Sequence, residues 1–142
     1  MDTVLEVCGK HKQRMQYAVN FLKEIFPLTS QSYIELSPDQ ISHIDQMIYR
    51  FSQLQDTIGN KLFPLMLQGL GEYSQNMPFI DMLNKLEKLS IIESAENWLG
   101  LREIRNLVTH EYPGNEREIV KAINELHIQT QYLSSTFTKL IC

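Results

Sequence analysis

The sequence predicts an all-α fold, an up-and-down bundle of four to five helices, and three observations carry that prediction. Apolar residues recur at alternating spacings of three and four along nearly the whole chain. Helix start and stop signals fall between the apolar runs. No stretch alternates apolar and polar residues as a half-buried strand would, and no segment repeats another.

The elements follow in order. Leu5, Cys8, Met15, Val19, Leu22 and Phe26 make the first stripe, skipping Lys12, and Pro27 stops it. "SPDQ" starts the second helix: Ser37 caps, Pro38 suits the first helical position, and Gln40 completes a capping box. Ile41, Ile44, Ile48, Phe51, Leu54, Ile58 and Leu62 form its apolar face. Pro64 lacks a backbone donor and kinks or ends that helix, leaving "PLMLQGLGEYSQN" as a short turn and loop. A third helix begins near Pro78 with Phe79, Leu83, Leu86 and Leu89. Asp81 lies in its first turn and Lys85 and Lys88 near its end, as the helix dipole favours. A fourth runs from about Ser94 to Glu111. Asn115 caps the fifth, with Glu118 three residues on and a stripe of Ile119, Ile123, Leu126, Leu133, Phe137 and Leu140.

The 142 residues amount to one domain, 1–142, long enough to bury a substantial core. With 43% hydrophobic and 21% charged residues the composition is that of an ordinary soluble chain. No apolar run reaches the roughly 18 residues of a membrane span, and "MDTVLEVCGKHKQR" lacks the basic-then-apolar order of a signal peptide, so a cytoplasmic location is expected. Cys8 falls on an apolar helical position and Cys142 is the last residue, consistent with reduced thiols. His11, His43, His110 and His127 are scattered, with no His-x-x-x-His and no Glu-x-x-His. A di-metal carboxylate bundle is therefore not supported, and no metal or cofactor is expected. The net charge of −4 argues against broad nucleic-acid binding, so any phosphate contact must be local.

The densest cationic spot lies in "LREIRNLVTHEYPGNE", Leu101 to Glu116. Leu101, Ile104, Leu107 and Val108 cluster within a third of the helical circumference and are expected to face inward. Arg102, Asn106 and His110 follow at intervals of four along the other side, while Arg105 lies about 140° from His110. Tyr112 precedes Pro113, which disfavours the α region and turns the ring off the helix end. Spacing alone allows a plain reading as well: a histidine in a last turn is stabilised by the helix dipole, and exposed arginines are solvated or paired with Glu103 or Glu111.

"RNLVTHEY" resembles the Arg-Asn, three residues, His, one residue, Tyr motif of HEPN-fold proteins, specifically the HepT-like toxins and their relatives. Those relatives include the helical partners of minimal nucleotidyltransferases. "RFSQLQDTIGNKLFPLML" and "FIDMLNKLEKLSIIESAENWLGLREIRN" are similar to the second-helix and pre-motif segments of one HepT-like branch, so the likeness spans most of the chain. The resemblance implies a homodimer with both motifs in one cleft, metal-independent RNA cleavage, and a type VII toxin–antitoxin pairing. In that pairing a minimal nucleotidyltransferase antitoxin silences the toxin by AMPylation of the motif tyrosine, and the homodimer can join the antitoxin in a higher oligomer. It implies that Arg105, Asn106 and His110 are the catalytic set and Tyr112 the modified residue; Arg102 joins as a substrate contact on geometry alone. Pro-Gly follows the tyrosine here, where many toxins continue differently. That departure belongs to a second reading, a non-catalytic HEPN module that binds substrate or nucleotide for a nucleotidyltransferase.

The chemistry is coherent. RNA cleavage without metal needs a group that takes the proton of a 2′-hydroxyl and one that protonates the leaving 5′-oxygen, and histidine titrates in the range for either. Arginine offers a fork of donors to the charge growing on the phosphoryl oxygens. Asn106, one turn before His110, is placed to orient the imidazole or a phosphate oxygen. One chain supplies one motif histidine for two proton-transfer roles, and a two-fold dimer supplies two.

Overall fold

The structure of the protein is a computed structural model that describes residues 1–109 and 115–141. Its regular elements there are α1 (Asp2–Leu22), α2 (Ser30–Ile34), α3 (Pro38–Thr57), a π-helical turn (Ile58–Leu62), α4 (Phe63–Gly69), α5 (Phe79–Lys88), α6 (Ala95–Thr109) and α7 (Glu116–Ile141). This is the all-α bundle that the periodicity predicts. Its five longer helices stand where the five apolar stripes lie, and α2 and α4 are short additions.

α1 buries Cys8, His11, Met15, Ala18 and Leu22, so His11 fills the gap in the apolar stripe. The helix ends a turn before the predicted stop at Pro27. Phe26, before the proline, is disfavoured in the α region. The chain then docks on α7, where the Asn124 amide holds both the Leu28 N–H and its carbonyl at 2.8 Å. Thr29 and Ser32 form a reciprocal capping box that starts α2, an element the sequence reading passed over.

The predicted start of α3 is present in full: the Ser37 hydroxyl accepts from the Gln40 N–H and the Gln40 side chain accepts from the Ser37 N–H. Its inward residues are Ile44, Met47, Phe51 and Leu54, whereas Ile41 is exposed and Ile48 half-buried. At Pro64 the chain neither stops nor becomes loop. The preceding turn widens to π geometry and α4 continues to Gly69, because the wider turn absorbs the missing donor and the ring. Gly71, at φ +71°, then ends α4 in a Schellman motif: Glu72 N–H bonds to Leu67 O at 2.8 Å and Gly71 N–H to Gln68 O at 3.0 Å.

Side-chain pairs fix the packing directions. Phe21 meets His43 and His11 meets Arg50, so α1 and α3 run antiparallel. Lys12 donates to Thr138 and Gln16 to Ser134, both at 2.7 Å, so α1 and α7 are antiparallel too. Between these helices Met15, Leu22, Phe51, Leu54, Leu83, Leu86, Trp98, Leu101, Leu126 and Leu133 are excluded from water. Burial of a large apolar side chain contributes about 1.5–3 kcal/mol, so this cluster is the chief force holding α6 on the bundle. No helix of the described residues is long and apolar enough to cross a membrane.

Candidate functional site

α6 carries the strip singled out by the sequence. Its first turn is closed by the Ser94 hydroxyl, which accepts from the Asn97 N–H, and by Glu87 of α5, which accepts from the Ala95 N–H at 2.7 Å. Trp98 then anchors the helix. Its ring is 1% exposed and lies 4.8 Å from that of Phe63, tilted by 56°. A Cβ at Gly59 of the π turn would stand 3.5 Å from the Trp98 indole nitrogen and 3.6 Å from Phe79, so α5 and α6 close tightly over that turn.

Trp98 sets the rotation of α6, and this corrects the predicted inward face. Trp98 and Leu101 are buried and Ile104 and Val108 partly so, but Leu107 is 48% exposed. Measured from Leu101, Arg105 lies about 40° round the helix and Leu107 about 120°. Arg105 therefore flanks the buried stripe instead of facing solvent. Its Nη2 donates to Asp56 Oδ2 of α3 at 3.0 Å and its Nη1 to Asn106 Oδ1 at 3.3 Å. Among the described residues its acidic partner is on another helix, not the Glu103 of the plain reading; Glu111 lies outside them. Both side chains of the ion pair keep some solvent contact, 24% for Arg105 and 35% for Asp56. The pair thus contributes on the order of 1 kcal/mol or less to stability, and its main effect is to fix the guanidinium.

Arg102 takes a different anchor. It is exposed, and its guanidinium carbon lies 4.5 Å from the centre of the Phe79 ring of α5, a cation–π contact. Asn106 is exposed beside Arg105. The structure thus brings Arg105 and Asn106 together and orients Arg102 separately toward α5. His110 and Tyr112 lie outside the described residues. Sequence reasoning missed Asp56. The only local signal was an acid at the edge of the second apolar stripe, and such positions are usually solvated.

The groove between α6 and α7 beside this strip, about 680 Å³, is bordered by Glu93, Glu96, Glu103 and Glu125. Its acidity disfavours an anion on that side of α6. Elsewhere, burial pushes the Cys8 thiol up to about 11, leaving it protonated. His11 and His127 are both held below their ordinary range, first by burial and, for His11, also by Arg50, Arg14 and Lys10. No group of three or more His, Cys, Asp or Glu side chains among the described residues is placed to hold a metal ion.

Comparison with known proteins gives no match: no family model, no curated protein and no solved structure matches the chain. What fold and site define is a class, an all-α bundle with a fixed arginine and an adjacent asparagine near the end of one helix.

Proposed function

We propose that this protein is a HepT-like toxin ribonuclease: a metal-independent endoribonuclease that works as a homodimer and is silenced when a partner minimal nucleotidyltransferase transfers AMP to Tyr112. The observation that carries the reading is the fixing of Arg105 by Asp56 and Asn106 on a half-exposed flank of α6. A guanidinium held by a carboxylate and an amide is pre-oriented to meet the charge of a phosphoryl transition state. In this mechanism one His110 takes the proton of the 2′-hydroxyl as its oxygen bonds to phosphorus. The bond from phosphorus to the 5′-oxygen breaks, and the His110 of the second chain protonates that oxygen. The products are a 2′,3′-cyclic phosphate and a 5′-hydroxyl.

The dimer finds support in exposed apolar residues on the helix that bears the motif: Leu99 is 38% and Leu107 48% exposed. A second reading, a non-catalytic HEPN module presenting substrate or nucleotide to a nucleotidyltransferase, draws on the acidic groove beside the strip. Its four glutamates favour a basic protein surface over RNA.

The test is RNA cleavage by purified protein in EDTA, with the new ends identified chemically. Cyclic phosphate ends are expected, and His110→Ala should lower the rate about a hundredfold or more. Full activity in His110→Ala sinks the ribonuclease reading. No cleavage by the wild type, together with tight binding of a nucleotidyltransferase, establishes the second one.

A further inference from the structure

Far from the motif strip, where the end of α1 meets the start of α3, the rings of Tyr17 and Phe21 gather at His43. The His43 imidazole lies flat on Phe21, with ring centres 3.6 Å apart and planes within 8°. Tyr17, one turn before Phe21, lies 6.2 Å from the imidazole at 28°. A cavity of about 400 Å³ is lined by Arg14, Tyr17, Ser42, His43 and Gln46. Phe21 is not in its lining and covers one face of the imidazole from behind. A carbonyl only accepts, so the 2.8 Å contact to Asp39 O is a bond donated by His43 Nδ1–H. That bond fixes the plane of the ring.

We infer that the slot between Tyr17 and His43 binds a nucleobase. Stacked bases rise about 3.4 Å each, so a planar ring between two others needs about 6.8 Å. The ring centres of Tyr17 and His43 lie 6.2 Å apart, and Tyr17, 70% exposed, has room to move outward as a base enters. The filled column would read Phe21, His43, base, Tyr17, with two aromatic faces on the guest. Polar groups line the same cavity. Arg14, three residues before Tyr17 on α1, supplies a donor fork for a phosphate. Ser42 and Gln46 of α3 supply a hydroxyl and an amide for the base edge. A lipid chain has no use for those polar groups, and a basic peptide would meet Arg14.

The slot is separate from the motif strip. Between His43 and Asp56, α3 advances about 20 Å and turns about 140° away. The inference is thus independent of the ribonuclease reading. Its guest is either the base of an RNA strand or a free purine nucleotide.

The experiment measures fluorescence anisotropy of a labelled 2′-O-methyl oligoadenylate, which cannot undergo 2′-hydroxyl cleavage, with AMP as competitor. Saturable binding is expected, weakened about tenfold or more by Tyr17→Ala and retained by Tyr17→Phe. Circular dichroism checks the fold of each variant, and truncation of so exposed a ring leaves the core untouched. Competition by AMP identifies a mononucleotide site; binding of the strand without competition identifies a strand site. Either outcome, with the Tyr17 pattern, supports the inference. It is overturned if nothing binds, or if Tyr17→Ala binds like wild type. Binding lost in Arg105→Ala but not in Tyr17→Ala overturns the slot while leaving the ribonuclease reading intact.

Discussion

The guanidinium of Arg105 lies 3.0 Å from the carboxylate of Asp56, a residue 49 positions earlier in the chain. The motif arginine is thereby tied to a second helix, and the tie separates two effects that a mutation can report. Loss of Asp56 should cost little in stability and much in position.

For Asp56→Ala and Arg105→Ala, a double-mutant cycle in urea should give a coupling of about 0.2–1 kcal/mol, as for a partly exposed pair. RNA cleavage by Asp56→Ala should fall about tenfold or more, because the guanidinium loses its aim. Wild-type cleavage by Asp56→Ala would show that the anchor has no part in the reaction.

If the two proton transfers use one histidine from each chain, a dimer with a single His110 is inactive. Wild type refolded with an equal amount of His110→Ala should show about a quarter of the wild-type activity per total protein, since about one dimer in four is then intact. Half the activity, in proportion to wild-type chain, would refute the shared cleft. Leu107→Lys places a charge on the exposed apolar face of α6. It should convert the dimer to monomer in light scattering and abolish cleavage together with it.

Tyr112 precedes Pro113, and a residue before proline is disfavoured in the α region. Co-expression with a cognate minimal nucleotidyltransferase should add one or more AMP groups per chain by intact-mass spectrometry, all lost in Tyr112→Phe. The adduct should also stop RNA cleavage, because its phosphate competes for the arginines. Adducts that persist in Tyr112→Phe place the modification elsewhere.

Acid should destabilise the fold through two histidines. His11 accepts a hydrogen bond at Nδ1 from Arg50 Nη1 at 2.9 Å, and His127 stacks on Phe26 at 3.9 Å. Both are held neutral below the ordinary value of 6.5. The unfolded chain therefore binds more protons as pH falls through that value. The stability they contribute is complete above it and is lost on further acidification. The melting temperature should drop from about pH 8 to about pH 5.5, with a shallower drop in His11→Leu. A flat profile in the wild type would contradict the assignment.

What the sequence made legible was local. The Ser37–Gln40 box is written in four adjacent residues and is present as read. The Thr29–Ser32 box uses the same chemistry, but the helix it starts is five residues long, too short to show a period. Pro64 reveals a missing donor, yet not that the turn before it widens. On α6 the wheel weighed Leu107 equally with its neighbours, whereas the larger Trp98 decides which way the helix faces. The same rotation brings Arg105 to Asp56, a long-range pairing to which no periodicity points.

The π turn has one more consequence, a matter of phase. A π turn carries a residue more than an α turn, so the buried row steps sideways once, from Ile58 and Leu62 to Phe63 and Leu67. The two arginines of α6 are anchored on opposite sides of that step: Arg105 to Asp56 before it, Arg102 to Phe79 beyond it. Removing the exposed Asn60 would rewind the turn and rotate α4 against α3 by about 100°. The motif's own letters would be unchanged, and the seat that Gly59 gives Trp98 and Phe79 would be remade.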